Sequence, residues 1–389
     1  MKIARISTVP FFIVTQLKGQ IEYLSKLGND VTVISSNVSE VSQDSFLSDV
    51  TYLDVEIDRR PAPLNDFVAL IKLILLYRKH RFDIVHSTTP KAGLLSAIAA
   101  KIAGVPISLH TFTGQPWVTM TGFLRLISRS SDKLIGKLNT HCYADSPSQA
   151  EFLIHQQVIS SNKISVIGSG SLAGVDMSRF DQKRFSVNER EVLRREIIND
   201  KDTIVLTFIG RITSDKGVFE LLKAFQLLRE NDYSVELVLV GPLDAGKDKK
   251  SIKLCSLVQQ SQNVHWINYT DKPENYLSFT NILCLPSYRE GFGTVVIEAA
   301  SMGIPTVGTN ITGLSDAIVD NVTGLLIPVA DTDALFVALK KLLDSKDLSE
   351  RMGLNAMKRC KDKFDSEKIN HEVFKEYLRF IDLSRSINQ

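Results

Sequence analysis

The chain has 389 residues, of which 44% are hydrophobic and 23% are charged, and its formal net charge is +2. A single hydrophobic core rarely grows beyond roughly 250–300 residues, so this length predicts two domains. The ordinary composition excludes a fibrous repeat, a disulfide scaffold and long disorder, and the near-neutral charge excludes the strongly basic domain of a nucleic-acid binder.

The first half of the chain alternates short apolar runs with helical periodicity. Strands are predicted at 2–7, 30–35, 82–86, 107–110, 142–144 and 164–167, and helices between them at 14–27, 66–79, 91–102 and 148–157. Apolar strands separated by helices indicate a parallel sheet covered on both faces. Periodicity is then lost over 168–188, a segment rich in Gly, Ser and polar residues that is the predicted connection between domains.

A second alternating series follows this connection. Strands are predicted at 203–208, 235–240, 264–266, 282–285, 305–308 and 324–327, with helices at 218–229, 294–302 and 333–343. The last helical stretch, 366–383, has no strand after it. The pattern predicts an α/β protein with two doubly wound, Rossmann-like parallel-sheet domains facing a cleft. Ligands of such sheets bind beyond the carboxyl ends of the strands.

The cysteines and the apolar runs indicate the compartment. The four cysteines lie far apart, which predicts free thiols in a reducing environment. No run approaches the ~18–20 apolar residues that span a bilayer. Arg5 and Pro10 interrupt the first apolar segment, which is typical of a strand rather than a signal peptide. A cytoplasmic protein is therefore expected.

The most informative motif is PSYREGFGTVVIE at 286–298, which follows a predicted strand and opens a helix. Gly291 and Gly293 allow the backbone to approach a ligand, and the amides at the helix start can receive an anion. Glu290 in the loop and Glu298 on the helix are carboxylates that accept hydrogen bonds from hydroxyls. The motif suits a nucleotide-sugar; the alternative is a structural turn with Glu298 on a solvated helix face.

Another motif, GRITSDKG at 210–217, also connects a predicted strand to a helix, with Asp215 as the expected N-cap. Arg211 provides a planar fork for phosphate oxygens and Lys216 a point charge. Together they are suited to a leaving diphosphate. The alternative is that both are ordinary surface cations.

Taken together, the two motifs resemble the donor-binding half of glycosyltransferase family 4, retaining enzymes of the GT-B fold whose Glu-x7-Glu spacing is met by Glu290 and Glu298. The segments TTPKAGLL at 88–95 and LHTFTG at 109–114 resemble bacterial transferases that build capsule, O-antigen or lipid-linked oligosaccharides. The resemblance implies an acceptor-binding domain, a linker, a donor-binding domain and a final helix that packs back on the first domain, at 1–173, 174–188, 189–365 and 366–389.

The resemblance also implies roles for single residues. Glu290 binds a sugar hydroxyl, Glu298 binds the ribose, and Arg211 and Lys216 stabilise charge on the diphosphate. The implied donor-binding set is Gly210, Arg211, Lys216, Glu290, Gly291, Phe292, Gly293, Thr294 and Glu298. His110 is implied near the reacting centre, so that the catalytic set is His110, Arg211, Lys216 and Glu290; the alternative is a strand-end histidine satisfied by backbone groups. No metal, other cofactor or protein base is implied.

The function so implied is transfer of a sugar, with an N-acetylhexosamine as one candidate, from a UDP-sugar to an undecaprenyl-diphosphate-linked acceptor in surface polysaccharide biosynthesis. The apolar stretch at 8–19 replaces the Gly-Gly loop that many relatives carry, and it suits a lipid-linked acceptor. Near the last donor-site loop, relatives often have Gly-Gly, whereas this chain has Thr312 and Gly313. Two alternatives stay open: a nucleotide-sugar epimerase of the GT-B fold, and a catalytically inactive membrane-associated assembly protein.

A basic stripe in the first half indicates a membrane surface. Residues 1–180 hold 18 Lys/Arg and 14 Asp/Glu, and within 123–138 the cations Arg125, Arg129, Lys133 and Lys137 recur every four residues beside an apolar face. Like charges at this spacing repel by roughly 0.2–0.5 kcal/mol per pair. Such a helix suits an anionic membrane, which predicts a peripheral protein on the inner face of the plasma membrane. The alternative is a helix docked on the sheet with its basic side in water.

Three further patterns have simpler interpretations. The GSGSLA segment at 168–173 fits a dinucleotide fingerprint, but no helical pattern follows it. Asp331 and Asp333 resemble a metal-binding Asp-x-Asp, but they stand where N-capping of a helix explains them. The apolar run at 67–77 is predicted to be an amphipathic or core helix rather than a membrane span.

Overall fold

The computed structural model describes residues 1–37, 49–198, 200, 202–243 and 249–387. The chain forms two compact units. The first comprises Met1–Gly174 together with the C-terminal helix, and the second comprises Val175–Asp365. Each unit is built on a parallel sheet, which confirms the predicted pair of α/β domains.

The first unit contains a seven-stranded parallel sheet in the order β3-β2-β1-β4-β5-β6-β7. Its strands are β1 (Lys2–Ile6), β2 (Asp30–Ser35), β3 (Thr51–Asp54), β4 (Ile84–Thr88), β5 (Ile107–Phe112), β6 (His141–Ala144) and β7 (Ile164–Val166). The central strands are buried almost throughout, because helices cover both faces of the sheet. β3 was not predicted, since this edge strand is only partly buried and lacks a continuous apolar run.

The segment after β1 corrects one expectation. The chain forms a helical turn at Pro10–Phe12, a π-helical turn at Ile13–Leu17 and then helix α1 (Lys18–Lys26). Ile13 and Leu17 are fully buried in the core, whereas Phe11 is exposed. The apolar stretch at 8–19 is therefore mainly a helix start packed on the sheet, and it is not the apolar entrance loop that its composition suggested.

The remaining helices of the first unit cover the two faces of the sheet. They are α2 (Pro63–His80), α3 (Pro90–Ala103), α4 (Gly122–Leu138), α5 (Pro147–His155) and the C-terminal helix (Ser366–Ile387). α2 and α3 pack with Ala4 and Ile6 on one face, whereas α1 and the C-terminal helix pack with Ile3 on the other. The Tyr377 hydroxyl of the C-terminal helix lies 2.6 Å from Arg5 Nη1, deep in this second core.

The second unit contains a six-stranded parallel sheet in the order β10-β9-β8-β11-β12-β13. Its strands are β8 (Ile204–Ile209), β9 (Val235–Val240), β10 (Val264–Ile267), β11 (Ile282–Leu285), β12 (Thr306–Thr309) and β13 (Gly324–Ile327). All six overlap predicted strands. Their apolar side chains and those of the covering helices form one large core and a smaller separate one that includes Val205, Val238 and Val240.

The helices of the second unit include several that the sequence did not predict. They are α6 (Val187–Arg195), α7 (Val218–Glu230), α8 (Lys249–Gln260), α9 (Pro273–Leu277), α10 (Thr294–Ser301), α11 (Leu314–Ala317), α12 (Thr332–Asp344) and α13 (Lys346–Lys363). The predicted linker at 174–188 also differs from the structure, because Val175 and Phe180 are buried in the core of the second unit. The Val175 amide donates to the Phe364 carbonyl at 2.7 Å.

The structure also places the three ambiguous patterns. Asp331 Oδ1 accepts a hydrogen bond from the Ala334 amide at 2.8 Å and so caps α12. The GSGSLA segment is followed by turns rather than by a helix. The apolar run at 67–77 lies within α2. In the described part of the chain, no helix is long and apolar enough to cross a bilayer, and no group of three or more His, Cys, Asp or Glu side chains could hold a metal ion.

Candidate active site

Two loops of the second unit leave the carboxyl ends of neighbouring strands and contact each other. One follows β8 and carries GRITSDKG, the first motif in chain order, and the other follows β11 and carries PSYREGFGTVVIE, the second motif in chain order. Gly217 has a φ of +69°, and a Cβ there would lie 2.0 Å from the carbonyl oxygen of Pro286. The Tyr288 amide donates to the Asp215 carbonyl at 2.9 Å. Only glycine allows this close approach between the two motifs.

A third loop, which follows β12, supports the other side of the second motif. Gly313 has a φ of +91°, and a Cβ there would lie 2.4 Å from the carbonyl oxygen of Gly291 and 3.2 Å from that of Glu290. The Thr309 hydroxyl at the end of β12 also donates to the Ser287 carbonyl. The backbone that carries Glu290 is thus enclosed from both sides and has little room to move.

Lys216 and Glu290 form an ion pair where the two motifs meet. Lys216 Nζ lies 2.6 Å from Glu290 Oε1, and only 17% and 14% of the two side chains are exposed. The Ser287 hydroxyl donates to the same oxygen at 2.7 Å. Glu290 Oε2 accepts no hydrogen bond from the residues that the structure describes, so it is available to a ligand hydroxyl. Ser287 was not predicted as a site residue, although it belongs to the same motif.

Arg211 and Asp215 differ in how they are held. The Arg211 side chain is exposed and makes no hydrogen bond or ion pair within the described ranges. Asp215 is not the N-cap of α7, because Gly217 occupies that position; its Oδ1 accepts a hydrogen bond from the Thr213 hydroxyl at 2.5 Å. Burial would raise the pKa of Asp215, but this hydrogen bond and the nearby cations, Arg289 first among them, lower it below its ordinary value.

Helix α10 begins within the second motif, at Thr294. Its N-cap is Gly293, which has a φ of +84° and no side chain to cap the first amides, so the helix start that includes Thr294 can receive an anion. Phe292, which the family resemblance places in the donor-binding set, points the other way. Its ring is 1% exposed and packs edge-on against Phe364, with centroids 5.2 Å apart, so only its backbone is available to a ligand.

Glu298 lies one helical turn before the end of α10 and is partly buried. Burial raises its pKa to about 7; the charge of Arg179 opposes this shift and that of Glu274 adds to it. Arg179 Nη2 lies 2.8 Å from Glu274 Oε2 and also donates to the Asp271 carbonyl. Arg179 and Glu274 were not predicted, because neither lies in a motif and the two are far apart in sequence.

His110 lies in the first unit, on β5. Its ring is buried, with Nδ1 3.0 Å from the Ser87 hydroxyl, so a side chain rather than the backbone is its partner. Gly93 of α3 packs directly on the ring, since a Cβ there would lie 2.4 Å from His110 Cε1. Burial lowers the pKa of His110 to about 3, so the imidazole is neutral at physiological pH. Nε2 has no hydrogen-bond partner among the described residues.

The four cations of the predicted basic stripe do not all face solvent. Arg125, Lys133 and Lys137 on α4 are exposed. Arg129 is turned inward, where Nη2 donates to the Gln156 carbonyl at 2.6 Å and the guanidinium lies 6.0 Å from the centre of the Trp117 ring. The expected four-residue stripe is therefore a stripe of three.

The comparisons with known proteins agree with this geometry. Residues 13–171 match the family described as Glycosyltransferase Family 4, and residues 189–359 match Glycosyl transferases group 1. The capsular polysaccharide biosynthesis glycosyltransferase CapM of Staphylococcus aureus is 32% identical over 365 residues, which cover 94% of each chain. The UDP-Gal:alpha-D-GlcNAc-diphosphoundecaprenol alpha-1,3-galactosyltransferase of Escherichia coli is 27% identical over 289 residues, which cover 74% of this chain and 73% of that protein.

The solved structures show the same fold. HepE of Anabaena, crystallised with UDP and glucose, matches with a TM-score of 0.81 and 17% identity over 97% of this chain and 99% of that one. The two parallel-sheet units together with these matches define a glycosyltransferase of the GT-B fold, as predicted. The chain belongs to glycosyltransferase family 4, which confirms the resemblance read from its motifs.

Proposed function

We propose that this chain transfers a hexose from a UDP-sugar to an undecaprenyl-diphosphate-linked saccharide in the synthesis of a surface polysaccharide. The observation that carries the proposal is the contact between Lys216 and Glu290, which joins a cation for the diphosphate to an acceptor for sugar hydroxyls beside a helix N-terminus. The name of CapM refers to capsular polysaccharide, and that of the E. coli relative to a UDP-galactose donor and an undecaprenol-diphosphate acceptor. Both names support the same class of reaction here.

In this proposal the diphosphate of the donor lies between the loop after β8 and the start of α10. Arg211 and Lys216 donate to the phosphate oxygens, together with backbone amides of 291–294. The open Oε2 of Glu290 accepts a sugar hydroxyl, and Glu298 accepts the ribose hydroxyls. An ionised carboxylate accepts these hydrogen bonds more strongly than a protonated one, so donor binding favours the loss of the Glu298 proton.

The transfer step follows from these contacts. The bond from the sugar C1 to the diphosphate oxygen breaks while the acceptor hydroxyl oxygen bonds to the same face of C1, which retains the configuration. The electron pair of the broken bond stays on the diphosphate, where Arg211, Lys216 and the start of α10 stabilise it. The proton of the acceptor hydroxyl passes to the leaving phosphate oxygen. His110 keeps the role that the family resemblance implies, a neutral hydrogen-bonding group near the reacting sugar.

A cavity in the first unit suits the acceptor. It has a volume of about 390 Å³ and lies at the carboxyl ends of β1, β2 and β3, where ligands of parallel sheets bind. The side chains that matter to a saccharide diphosphate are those of Phe11, Glu56, Asp58 and Arg59. The two carboxylates accept sugar hydroxyls, the guanidinium pairs with phosphate, and the exposed Phe11 ring packs on a sugar face or on the lipid.

The outer face of α4 supports a position at the inner surface of the membrane. Its buried side carries Asp132, Ile135 and Gly136, so its apolar side faces outward. Phe123 is 73% exposed, and further exposed apolar residues of this helix are Leu124, Leu126, Ile127 and Leu134. An outward apolar face beside the cations of the three-residue stripe fits the headgroup region of an anionic bilayer.

Helix α2 presents a second surface of the same kind. Leu64 is 84% exposed, and Phe67, Val68, Ile71 and Leu75 continue the same outward stripe. The opposite side of α2 is buried through Ala69, Leu73 and Tyr77. α3 packs against both α2 and α4, so the two apolar stripes belong to one layer of helices. The exposed cations of α2 and its end are Lys72, Arg78, Lys79 and Arg81.

The reaction is tested by incubating the purified chain with a panel of nucleotide-sugars and a synthetic undecaprenyl-diphosphate-linked sugar. We expect transfer of sugar to the lipid with a UDP-sugar and no product without the acceptor. Release of an altered free sugar in the absence of acceptor would replace the proposal with an epimerase. Failure of every nucleotide-sugar to bind would indicate an inactive assembly protein.

Membrane contact is tested by sedimentation with phosphatidylcholine vesicles, with and without phosphatidylglycerol. Replacing Leu64 and Phe123 by Ser removes apolar surface, and we expect the affinity for anionic vesicles to fall about tenfold or more. Val337→Ser and Leu354→Ser are the controls, because these residues are also more than half exposed but lie in the second unit. Unchanged vesicle binding in the first variant, or self-association of the free protein through this face, would overturn the assignment.

A further inference from the structure

A cavity of about 380 Å³ lies at the edge of the second sheet opposite to the donor loops. One wall is helix α6, and the other is the segment 278–281, which directly precedes β11. The donor motifs leave the carboxyl ends of β8 and β11, whereas this cavity lies at the amino end of β11. It is therefore separate from the proposed donor site, and the reaction described above makes no use of it.

Arginines of α6 give the cavity a net positive charge, because three arginines and one carboxylate, that of Glu191, line it. The Arg190 guanidinium makes no hydrogen bond or ion pair with any residue in the described ranges, although its Nε is shielded from solvent. Arg194 donates only to the carbonyls of Asp200 and Thr203, at 2.9 and 2.6 Å, and its Nε is also shielded without a partner. Arg195, in contrast, is paired with Glu191 at 2.7 Å.

This arrangement is unfavourable without a ligand. The partly buried Arg190 guanidinium loses hydration that no described residue replaces, and the two carbonyls that accept from Arg194 replace its hydration only in part. Arg190 and Arg194 also lie four residues apart on one helix face, where like charges repel by roughly 0.2–0.5 kcal/mol. Two guanidinium groups that form no ion pair with a described carboxylate and lie beside a cavity are suited to a phosphate, which offers oxygens to both.

The other walls indicate what accompanies the phosphate. Gln182 lines the cavity and its buried Oε1 has no hydrogen-bond donor, so a rotation of the side chain would let it accept from a ligand hydroxyl. Val187, Ile198 and Phe279 supply apolar contact for a carbon skeleton. We propose that this cavity is a second ligand site, which binds a phosphorylated small molecule of the size and polarity of a sugar phosphate.

Calorimetric titration of the full chain with glucose 6-phosphate tests the proposal. We expect saturable binding that is unchanged in the donor-site variant Lys216→Ala and weakened about tenfold or more by Arg190→Gln, which removes the charge and keeps the side-chain length. Arg229→Gln is the matched control, because Arg229 is an exposed arginine on α7 outside the cavity. The melting temperature of Arg190→Gln should equal or exceed that of the parent, since a repulsion is removed.

Three results would overturn the proposal. One is the absence of binding by the parent chain, and the second is binding that Lys216→Ala abolishes while Arg190→Gln leaves it intact, which would place the ligand in the donor site. The third is equal affinity for citrate and for glucose 6-phosphate, which would show a site for any anion rather than for a phosphorylated molecule.

Discussion

The two units share an architecture but treat their charged side chains in opposite ways. In the second unit two cations of the candidate site are paired at short distances, Lys216 with Glu290 at 2.6 Å and Arg179 with Glu274 at 2.8 Å, whereas Arg211 is not paired with a described residue. In the first unit the outward cations of α4, such as Lys133 and Lys137, make no ion pair with described residues. They lie beside exposed apolar side chains instead.

This difference corresponds to two kinds of binding. Paired, partly buried charges hold their side chains in one fixed geometry. A small ligand whose bond is to react requires such a fixed geometry around it. Unpaired surface cations impose no geometry but attract an extended anionic surface, and salt screens that attraction. The contrast fits the proposal that the second unit binds the donor and that α2 and α4 of the first unit attach to a surface, and the predictions below test both parts of it.

The largest expected effect concerns the ion pair of the second unit. Replacing Lys216 by Ala removes a cation that stabilises the leaving diphosphate and leaves Glu290 without its partner. We expect kcat to fall by about 100–1,000-fold in a transfer assay, the range observed when one donor to a developing anion is removed. The matched control is Lys223→Ala on α7, whose exposed side chain lies outside both motifs. Activity of Lys216→Ala within twofold of the parent would remove the pair from the reaction.

A second effect tests whether the loop that carries Glu290 depends on its glycine support. Gly313→Ala would place a Cβ 2.4 Å from the Gly291 carbonyl oxygen, so the loop must shift. We expect donor affinity to fall about tenfold and stability to fall by about 1–3 kcal/mol. Gly28→Ala is the control, because Gly28 has a similar φ of +76° but no heavy atom within 4 Å of the added Cβ.

The comparison between these two variants separates backbone strain from contact. Both variants force an alanine into a left-handed conformation, and both should therefore lose some stability. Only Gly313→Ala should also weaken donor binding, measured by calorimetry with UDP. Equal donor affinity in the two variants would contradict the view that Gly313 supports the second motif.

Much of this organisation could be predicted from the sequence, because its signals are local. All strands except β3 contain predicted apolar runs, and Lys216, Glu290 and Glu298 lie in motifs whose glycines and helix starts follow one another along the chain. The family resemblance was carried by the same contiguous segments. Local pattern is sufficient where the residues that act together are also neighbours in sequence.

The features that were missed depend on packing. Arg179 and Glu274 form their ion pair although they lie 95 positions apart in sequence, and no motif marks either residue. Phe292 lies inside a recognisable motif, yet its ring turns into the core because Phe364 packs against it. Arg129 shares the spacing of its three exposed neighbours but meets Trp117 and the Gln156 carbonyl. The spacing of residues predicts which of them share one face of a helix. Whether a given side chain on that face is buried depends on the residues that pack against it.

A smaller effect concerns the carboxyl group of Glu298. Its pKa in the folded chain, about 7, lies above the ordinary value of 4.5, so the folded state holds a proton that the unfolded state has lost. The ligand-free protein therefore loses stability as the pH rises from 4.5 to 7, by roughly 1–2 kcal/mol after allowance for partial exposure. Glu298→Gln should remove this loss and raise the melting temperature above about pH 7, but not near pH 4.5.

The same substitution should act in the opposite direction on donor binding. Donor affinity of the parent should increase as the pH rises through about 7, because the ionised carboxylate accepts hydroxyls more strongly, and this increase should be absent in Glu298→Gln. Glu151→Gln on α5, which changes an exposed carboxylate, is the control. A melting temperature of Glu298→Gln that follows the parent at every pH would contradict the pKa shift.

The smallest expected effect is that of replacing His110, a buried titratable residue of the first unit that can be compared with Glu298 of the second. Because burial lowers its pKa to about 3, the imidazole stays neutral throughout the range of about pH 5–8, where an ordinary histidine titrates. His110→Gln keeps a neutral hydrogen-bonding group, so we expect kcat to change less than tenfold and the shape of the pH–rate profile to stay as in the parent. Loss of a step near pH 6.5 in this variant would show that His110 titrates. If the step near pH 7 disappears in Glu298→Gln and persists in His110→Gln, the pH dependence arises from the unit that binds the donor.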